Sequence, residues 1–78
     1  MPRKCPIDYE QITAQHAKNL RQLRGMSQTE FYATFGTTQS DGCKYERGRP
    51  MPSIVKQLMC FVWAREIKAN AEQIGVRL

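Results

Sequence analysis

The sequence of 78 residues lacks the side chains that most enzymes and metal proteins need. It contains one histidine and three cysteines, and the cysteines are scattered without the C-x-x-C spacing of zinc sites. It has no glycine-rich phosphate loop, no set of serine, histidine and aspartate, and no paired carboxylates in a pocket-forming context. We therefore expect no enzyme activity, no metal and no cofactor. The thiols are interpreted as reduced cysteines of a cytoplasmic protein.

Long apolar runs are also absent. No stretch approaches the roughly 18 residues of a membrane span, so no membrane partner is expected. The basic N-terminus is not followed by the apolar core of a secretory signal. The longest apolar stretch, residues 58–64, indicates a buried helix face. A chain of this size forms a single domain, which leaves no room for a separate effector-binding domain, and we expect no small-molecule effector.

Acidic residues are few, with 7 against 12 lysines and arginines, and the net charge is +5 at pH 7. A small domain with such an excess commonly meets a polyanion, most often nucleic acid. Charge alone leaves open that the chain is merely a soluble basic domain. The hydrophobic content of 41% indicates a folded chain.

Apolar spacing and capping residues predict an all-α fold of four to five helices. Residues 1–7 are expected to form a flexible arm, and Asp8 is the predicted cap of a helix over about 9–24. Glycines bound the two short segments that follow, and a serine or threonine stands before each of them. These signals predict a second helix over about 28–35 and a third over about 39–47.

The second half of the chain is predicted to contain a fourth helix, capped by Ser53. Its helical pattern weakens after Ala64 and could continue to about Glu72. The last residues alternate apolar side chains at period two, which predicts a short strand. Since a single strand has no sheet to join in an all-α domain, we assign 65–78 to a dimerisation segment whose strand pairs with another subunit.

Between residues 27 and 48, glycine, glutamine, aromatic and other residues occur in a characteristic order, with no insertion or deletion between them. These residues are Gln28, Phe31, Phe35, Gly36, Thr37, Thr38, Gln39, Ser40, Tyr45, Glu46, Arg47 and Gly48. In this order the segment resembles the helix-turn-helix of the lambda-repressor and Cro-type (XRE) family, and the resemblance covers about 20–62 with the flanking helices. It implies a compact lambda-repressor-like DNA-binding domain over 8–64 that binds double-stranded DNA.

A finer resemblance rests on the aromatic residue at 32, the run TQSDGCKYERGR and the M-P that follows it. These are similar to small phage regulators encoded beside anti-CRISPR genes. That resemblance implies a repressor that binds an inverted-repeat operator in its own promoter and shuts off transcription.

The family resemblance implies roles for single residues. Gln39 matches the position that reads adenine through its side-chain amide, and Gln28 matches a residue that braces it. Base contacts are expected from Gln39, Ser40, Cys43 and Lys44, although Cys43 is equally well explained as a small filler. Phosphate contacts are expected from Gln28, Thr38, Arg47 and Arg49. Arg21 and Glu46 match a structural ion pair between the first and third helices.

Two positions depart from the family pattern. Tyr32 stands where the second helix usually has alanine, and Gly42 stands where the third usually has a buried valine or isoleucine. Since these positions normally touch, we expect the Tyr32 ring to fill the volume vacated at Gly42. The alternative is that Tyr32 points to solvent and Gly42 merely weakens the helix.

One recognition helix reads about half a site, so a homodimer is expected. We assign to its interface Phe61, Trp63 and Ile67, which exceed the needs of a monomer's core. The predicted strand adds Ile74, Val76 and Leu78, which could pair across the two-fold axis. Two alternatives remain open: an antitoxin that also represses its operon, and a restriction–modification controller protein.

Overall fold

The computed structural model describes residues 8–77, which form an all-α domain. A 3-10 turn at Tyr9–Gln11 precedes six α-helices in this range. Their bounds are α1 Ala14–Leu23, α2 Gln28–Ala33, α3 Gln39–Glu46, α4 Ser53–Val62, α5 Ala64–Ala69 and α6 Ala71–Ile74. The all-α class is confirmed, although the described residues contain six α-helices rather than four to five. The predicted arm, 1–7, and Leu78 lie outside the described residues.

The first helix begins later than predicted, because two caps follow each other. Asp8 caps only the 3-10 turn, where its side chain accepts from the Glu10 N–H at 3.2 Å. Thr13 is the N-cap of α1: its Oγ1 accepts from the His16 N–H at 3.3 Å, and His16 Nδ1 accepts from the Thr13 N–H at 3.2 Å. His16 therefore has the place that glutamate or glutamine usually takes in a capping box.

The core around α2 is aromatic. Phe31 meets Tyr32 edge-on at 5.1 Å between ring centroids and stacks on Trp63 at 5.4 Å. Trp63 Nε1 donates to Thr34 Oγ1 at 2.8 Å, which attaches the junction of α4 and α5 to the end of α2. Only 9% of Trp63 is exposed, so the structure places it in the domain core and not on a dimer surface.

The C-terminal segment closes the core against α1, and the predicted strand is wrong. Ile67, Ile74 and Val76 are buried in the chain's own core, so they do not exceed what the monomer needs. Gly75, at φ +94°, turns the chain after α6, so that Ile74 and Val76 both point inward. That turn, and not an extended strand, accounts for their spacing of two.

Side chains from the first turn and α1 hold the segment in place. Asn19 Nδ2 donates to the Ile74 carbonyl at 3.0 Å. The side-chain amide of Gln11 accepts from the Arg77 N–H at 2.7 Å and also donates to the Arg77 carbonyl. These backbone groups are satisfied within the chain and need no strand partner.

α4 is apolar on two sides. Met59 and Cys60 face the core, whereas four large apolar side chains lie on the outer side with 42–60% of their surface exposed. These are Ile54, Leu58, Phe61 and Val62, and we call them the α4 outer face. The predicted burial of 58–64 is thus only half right. Ser53 is the first helical residue, Pro52 takes the cap position, and no side chain caps this helix. No helix within residues 8–77 has the length and apolarity to cross a membrane.

Candidate nucleic-acid interface

Local capping and one glycine set the geometry of α2 and α3. Ser27 Oγ accepts from the Glu30 N–H at 3.2 Å, and the Glu30 carboxylate in turn accepts from the Ser27 N–H and hydroxyl. Gly36 adopts φ +78° in the turn, a conformation that other residues resist. Thr38 then caps α3, where its Oγ1 accepts from the Asp41 N–H at 3.2 Å. These local interactions fix where α2 and α3 begin and where the turn lies, and the two helices pack against each other.

Tyr32 and Gly42 exchange volume between α2 and α3, as predicted. Tyr32 is fully buried, and a Cβ atom at position 42 would lie 2.5 Å from Tyr32 Cγ and 2.6 Å from Cε2. Since real Cβ atoms essentially never approach so closely, the aromatic ring and a side chain at 42 exclude each other. The expectation that Tyr32 fills the space at Gly42 is confirmed.

Glu46 joins three elements at the end of α3. Arg21 binds it in a fork, with Nε on Oε2 at 3.0 Å and Nη2 on Oε1 at 2.9 Å, and Arg21 Nη1 also donates to the Met26 carbonyl at 3.1 Å. The Tyr32 hydroxyl donates to Glu46 Oε2 at 2.8 Å. The structure thus brings Arg21 and Glu46 together as an ion pair between α1 and α3. The Tyr32 contact was not predicted, although an inward tyrosine at 32 needs a partner for its hydroxyl.

The ionisation of this cluster follows from its contacts. Burial raises the pKa of the Glu46 carboxyl, but the hydrogen bonds from Arg21, Tyr32 and Gln28 outweigh it, and the pKa lies below its usual range. Glu46 also raises the pKa of Arg21. Burial and the bond to Glu46 raise the pKa of the Tyr32 hydroxyl. Glu46 is therefore an acceptor and Tyr32 a donor near neutral pH.

The edge of α3 opposite the core faces solvent. Gln39, Ser40 and Lys44 are exposed, and Cys43 is half-buried at the rim, whereas Tyr45 and Gly42 are buried on the inner side. A helix of this kind, with one flank anchored and the other free, fits the roughly 12 Å wide major groove of B-DNA.

The side-chain amides of α2 and α3 meet at their N-terminal ends. Gln39 Nε2 donates to Gln28 Oε1 at 3.0 Å, and Gln28 Nε2 donates to Glu46 Oε1 at 3.3 Å. The structure therefore brings Gln28 beside Gln39. The link from Gln28 to Glu46 had no clear signal in the sequence, because the two residues are 18 positions apart.

The remaining predicted phosphate ligands surround this edge. Thr38, Arg47 and Arg49 are exposed, Thr38 at the beginning of α3 and the two arginines just after its end. Since Thr38 Oγ1 accepts a backbone bond, its hydroxyl proton stays available for an outside acceptor. Within residues 8–77, no three histidine, cysteine, aspartate or glutamate side chains cluster as a metal would require.

Comparison with protein families matches residues 18–62, more than half of the chain, to the RsaL-like HTH domain. No curated protein and no solved structure matches the chain. The matched residues include α2, the turn and α3, together with most of α1 and all of α4. A helix-turn-helix domain of this kind is a DNA-binding module of transcription regulation. The chain belongs to the family of RsaL-like helix-turn-helix domains.

Proposed function

We propose that this protein is a transcriptional repressor that binds an inverted-repeat operator as a homodimer and shuts off its own operon. The observation that carries the proposal is the outer edge of α3, where exposed polar side chains stand opposite a buried flank. An exposed helix edge with amide, hydroxyl and ammonium groups matches the hydrogen-bonding groups of the major groove.

Base contacts come from this edge. Gln39, braced by Gln28, reads adenine by donating to N7 and accepting from the N6 amino group. Lys44 lies one helical turn beyond Ser40 and reaches guanine or a phosphate oxygen. Cys43 sits at the rim, where its side chain meets a thymine methyl group.

Phosphate contacts position the helix. Gln28 at the beginning of α2 and Thr38 at the beginning of α3 donate hydrogen bonds to phosphate oxygens. Arg47 and Arg49 neutralise phosphates beyond the end of α3. The excess of five positive charges over the chain steers it to DNA.

The α4 outer face supplies the dimer interface. Its four apolar side chains follow one stripe of the helix and stay 42–60% exposed in the monomer. A second copy of the chain covers this stripe with its own, because a two-fold axis makes the surface self-complementary. Phe61, which the sequence assigns to the interface, is one of the four exposed side chains of this face. Two-fold symmetry then sets two α3 helices about 34 Å apart, one turn of DNA.

The biological setting follows from the sequence resemblance to small phage regulators. It favours an operon of a phage or mobile element, with an anti-CRISPR operon as the specific case, and a cytoplasmic protein without an effector.

The testing experiment is selection of bound duplexes from a random pool at defined salt, with the mass of the complex measured on the recovered DNA. A palindrome bound by two chains supports the proposal, and a pool without enrichment overturns it. A protein that copurifies from the native source in fixed proportion would favour the antitoxin alternative.

A further inference from the structure

A continuous row of hydrogen bonds leads from the interior of the domain to the outer edge of α3. It begins at Glu46, whose Oε1 accepts from Gln28 Nε2 at 3.3 Å. It continues from Gln28 Oε1, which accepts from Gln39 Nε2 at 3.0 Å. One end of the row is therefore a carboxylate in the domain, and the other is an exposed amide.

The carboxylate sets the direction of the first amide. Glu46 is held by the Arg21 fork and the Tyr32 hydroxyl, and an ionised carboxylate accepts hydrogen bonds but cannot donate one. Gln28 must therefore turn its NH2 group toward Glu46. The opposite orientation would bring the Gln28 carbonyl oxygen against a carboxylate oxygen, which is repulsive.

The first amide then sets the direction of the second. With its NH2 group on Glu46, Gln28 presents only its oxygen to Gln39, so Gln39 must donate to it. The outward edge of the Gln39 amide then carries its oxygen together with the second Nε2 proton. If the row ran the other way, Gln39 would give its oxygen to Gln28 and present N–H groups alone.

We propose that Glu46 acts through Gln28 as a specificity-determining residue, because it fixes which way the Gln39 amide faces and thereby selects adenine over guanine. The inference rests on the proposed function and deepens it. Adenine offers N7 as an acceptor and N6–H as a donor, which match one N–H and the oxygen of Gln39. Guanine offers two acceptors, N7 and O6, so the fixed oxygen of Gln39 would face O6.

The test measures the affinity of each protein for a duplex recovered by the wild-type chain and for the same duplex with guanine in place of adenine at one position. That position is the one whose base preference Gln39→Ala removes. The ratio of these two affinities is the result that is compared. In Glu46→Gln, the new NH2 group loses one hydrogen bond from Arg21 whichever oxygen it replaces, so neither orientation of the amide is strongly preferred. Residue 46 then no longer fixes the direction of the Gln28 amide. Gln28→Met interrupts the row and leaves the Arg21–Glu46 pair untouched, which covers the case in which Glu46→Gln does not fold.

Tyr32→Phe is the matched control, since it removes a hydrogen bond to Glu46 but leaves the amide row in place. We expect the wild type and Tyr32→Phe to prefer adenine by about 5- to 150-fold, the discrimination of a bidentate amide contact. In Gln28→Met and Glu46→Gln the ratio should fall toward one, because the freed amide also serves guanine. Circular dichroism verifies that each variant compared is folded.

The outcomes separate the two proposals. If the folded variants lose affinity for both duplexes in equal proportion and keep the ratio, the role of Glu46 and Gln28 in specificity is wrong while the repressor proposal stands. A wild-type preference for guanine at the Gln39 position has the same meaning. A wild-type chain that recovers no preferred sequence overturns both.

Discussion

The ring of Tyr32 lies where a side chain at position 42 would have to be, so that α2 and α3 share one aromatic ring between them. Its hydroxyl then reaches Glu46 at the far end of α3, at 2.8 Å. The combination of a large side chain at position 32 and no side chain at position 42 therefore sets the packing of α2 against α3. It also provides one of the hydrogen bonds to Glu46.

Gly42→Val should destabilise the domain. The new side chain would overlap the Tyr32 ring, and overpacking of a core costs about 1–3 kcal/mol. For a domain of this size the thermal midpoint should fall by about 4–8 °C per kcal/mol. Tyr32→Ala alone leaves a cavity and is also destabilising.

The double variant Tyr32→Ala/Gly42→Val is the control for this exchange, because valine then fills the space that the ring vacates. Its loss of stability should be smaller than the sum of the two single losses, as for residues in contact. Additive losses in chemical denaturation would show that the two positions are not coupled.

Phe61→Glu should convert the proposed dimer into a folded monomer. A carboxylate on the α4 outer face would be desolvated in the interface but remains hydrated in the monomer. Sedimentation equilibrium measures the oligomeric state, and circular dichroism measures the fold. Leu23→Glu is the matched control, since Leu23 is similarly exposed at 45% but lies at the end of α1 and outside that face. Equal association of both variants and the wild type would contradict the assigned interface.

Gln39→Ala should cost about 1–3 kcal/mol on the selected operator and relax the preference at one base pair per half-site. The reason is that its amide is the exposed end of the row that leads to Glu46. Titration of the operator and of its single-pair variants measures both effects. Unchanged operator affinity would show that another face of the domain reads the bases.

Arg49→Ala should weaken binding to all sequences by a similar factor. Arg49 is exposed just beyond α3, and in the proposed complex its guanidinium neutralises a phosphate, a contact that carries no sequence information. The slope of log affinity against log salt should fall in magnitude by about one. Arg77→Ala, which removes an exposed arginine far along the chain, is the control, and a slope equally reduced there would indicate a general charge effect.

Stability should decrease as the pH falls below about 6.5, the ordinary pKa of histidine. Burial lowers the pKa of His16 despite an opposing backbone hydrogen bond at Gln11, so the unfolded chain takes up a proton before the folded chain does. Stability is therefore fully present above the ordinary pKa and is lost as the pH falls through the lowered one. In structural terms, protonated Nδ1 cannot accept from the Thr13 N–H.

Thermal midpoints between pH 5 and 8 measure this effect, and His16→Gln is its control. Glutamine at this position keeps a capping acceptor but does not titrate. Its midpoint should depend less on pH over that interval than that of the wild type. Parallel curves for the two proteins would assign the pH dependence to other groups.

The parts of the fold that local signals govern were predictable from the sequence. Ser27 and Thr38 cap α2 and α3 as expected, and the glycines end the segments near the predicted positions. The beginning of α1 was not predicted, because Asp8 and Thr13 both offer valid caps and only packing chooses between them.

Long-range relationships were harder to predict. The apolar alternation at the C-terminus has the same period as a strand, but Gly75 and the bonds from Asn19 and Gln11 make it the closing turn of a helical core. Likewise, α4 reads as one apolar run, and the sequence alone does not divide it into an inner and an outer side. The residues of the α3 edge could be named from the family pattern, whereas the bond from Gln28 to Glu46 required coordinates.

The indole of Trp63, which stacks on Phe31 and is hydrogen-bonded to Thr34, also serves as a spectroscopic probe of folding. The chain contains one tryptophan, so its tryptophan fluorescence originates at a single buried side chain, whereas the α3 edge is exposed. The emission spectrum should therefore shift to longer wavelength on denaturation and stay nearly constant on addition of oligonucleotides. An unlabelled sample can thus distinguish variants that have lost their fold from those that have lost only recognition.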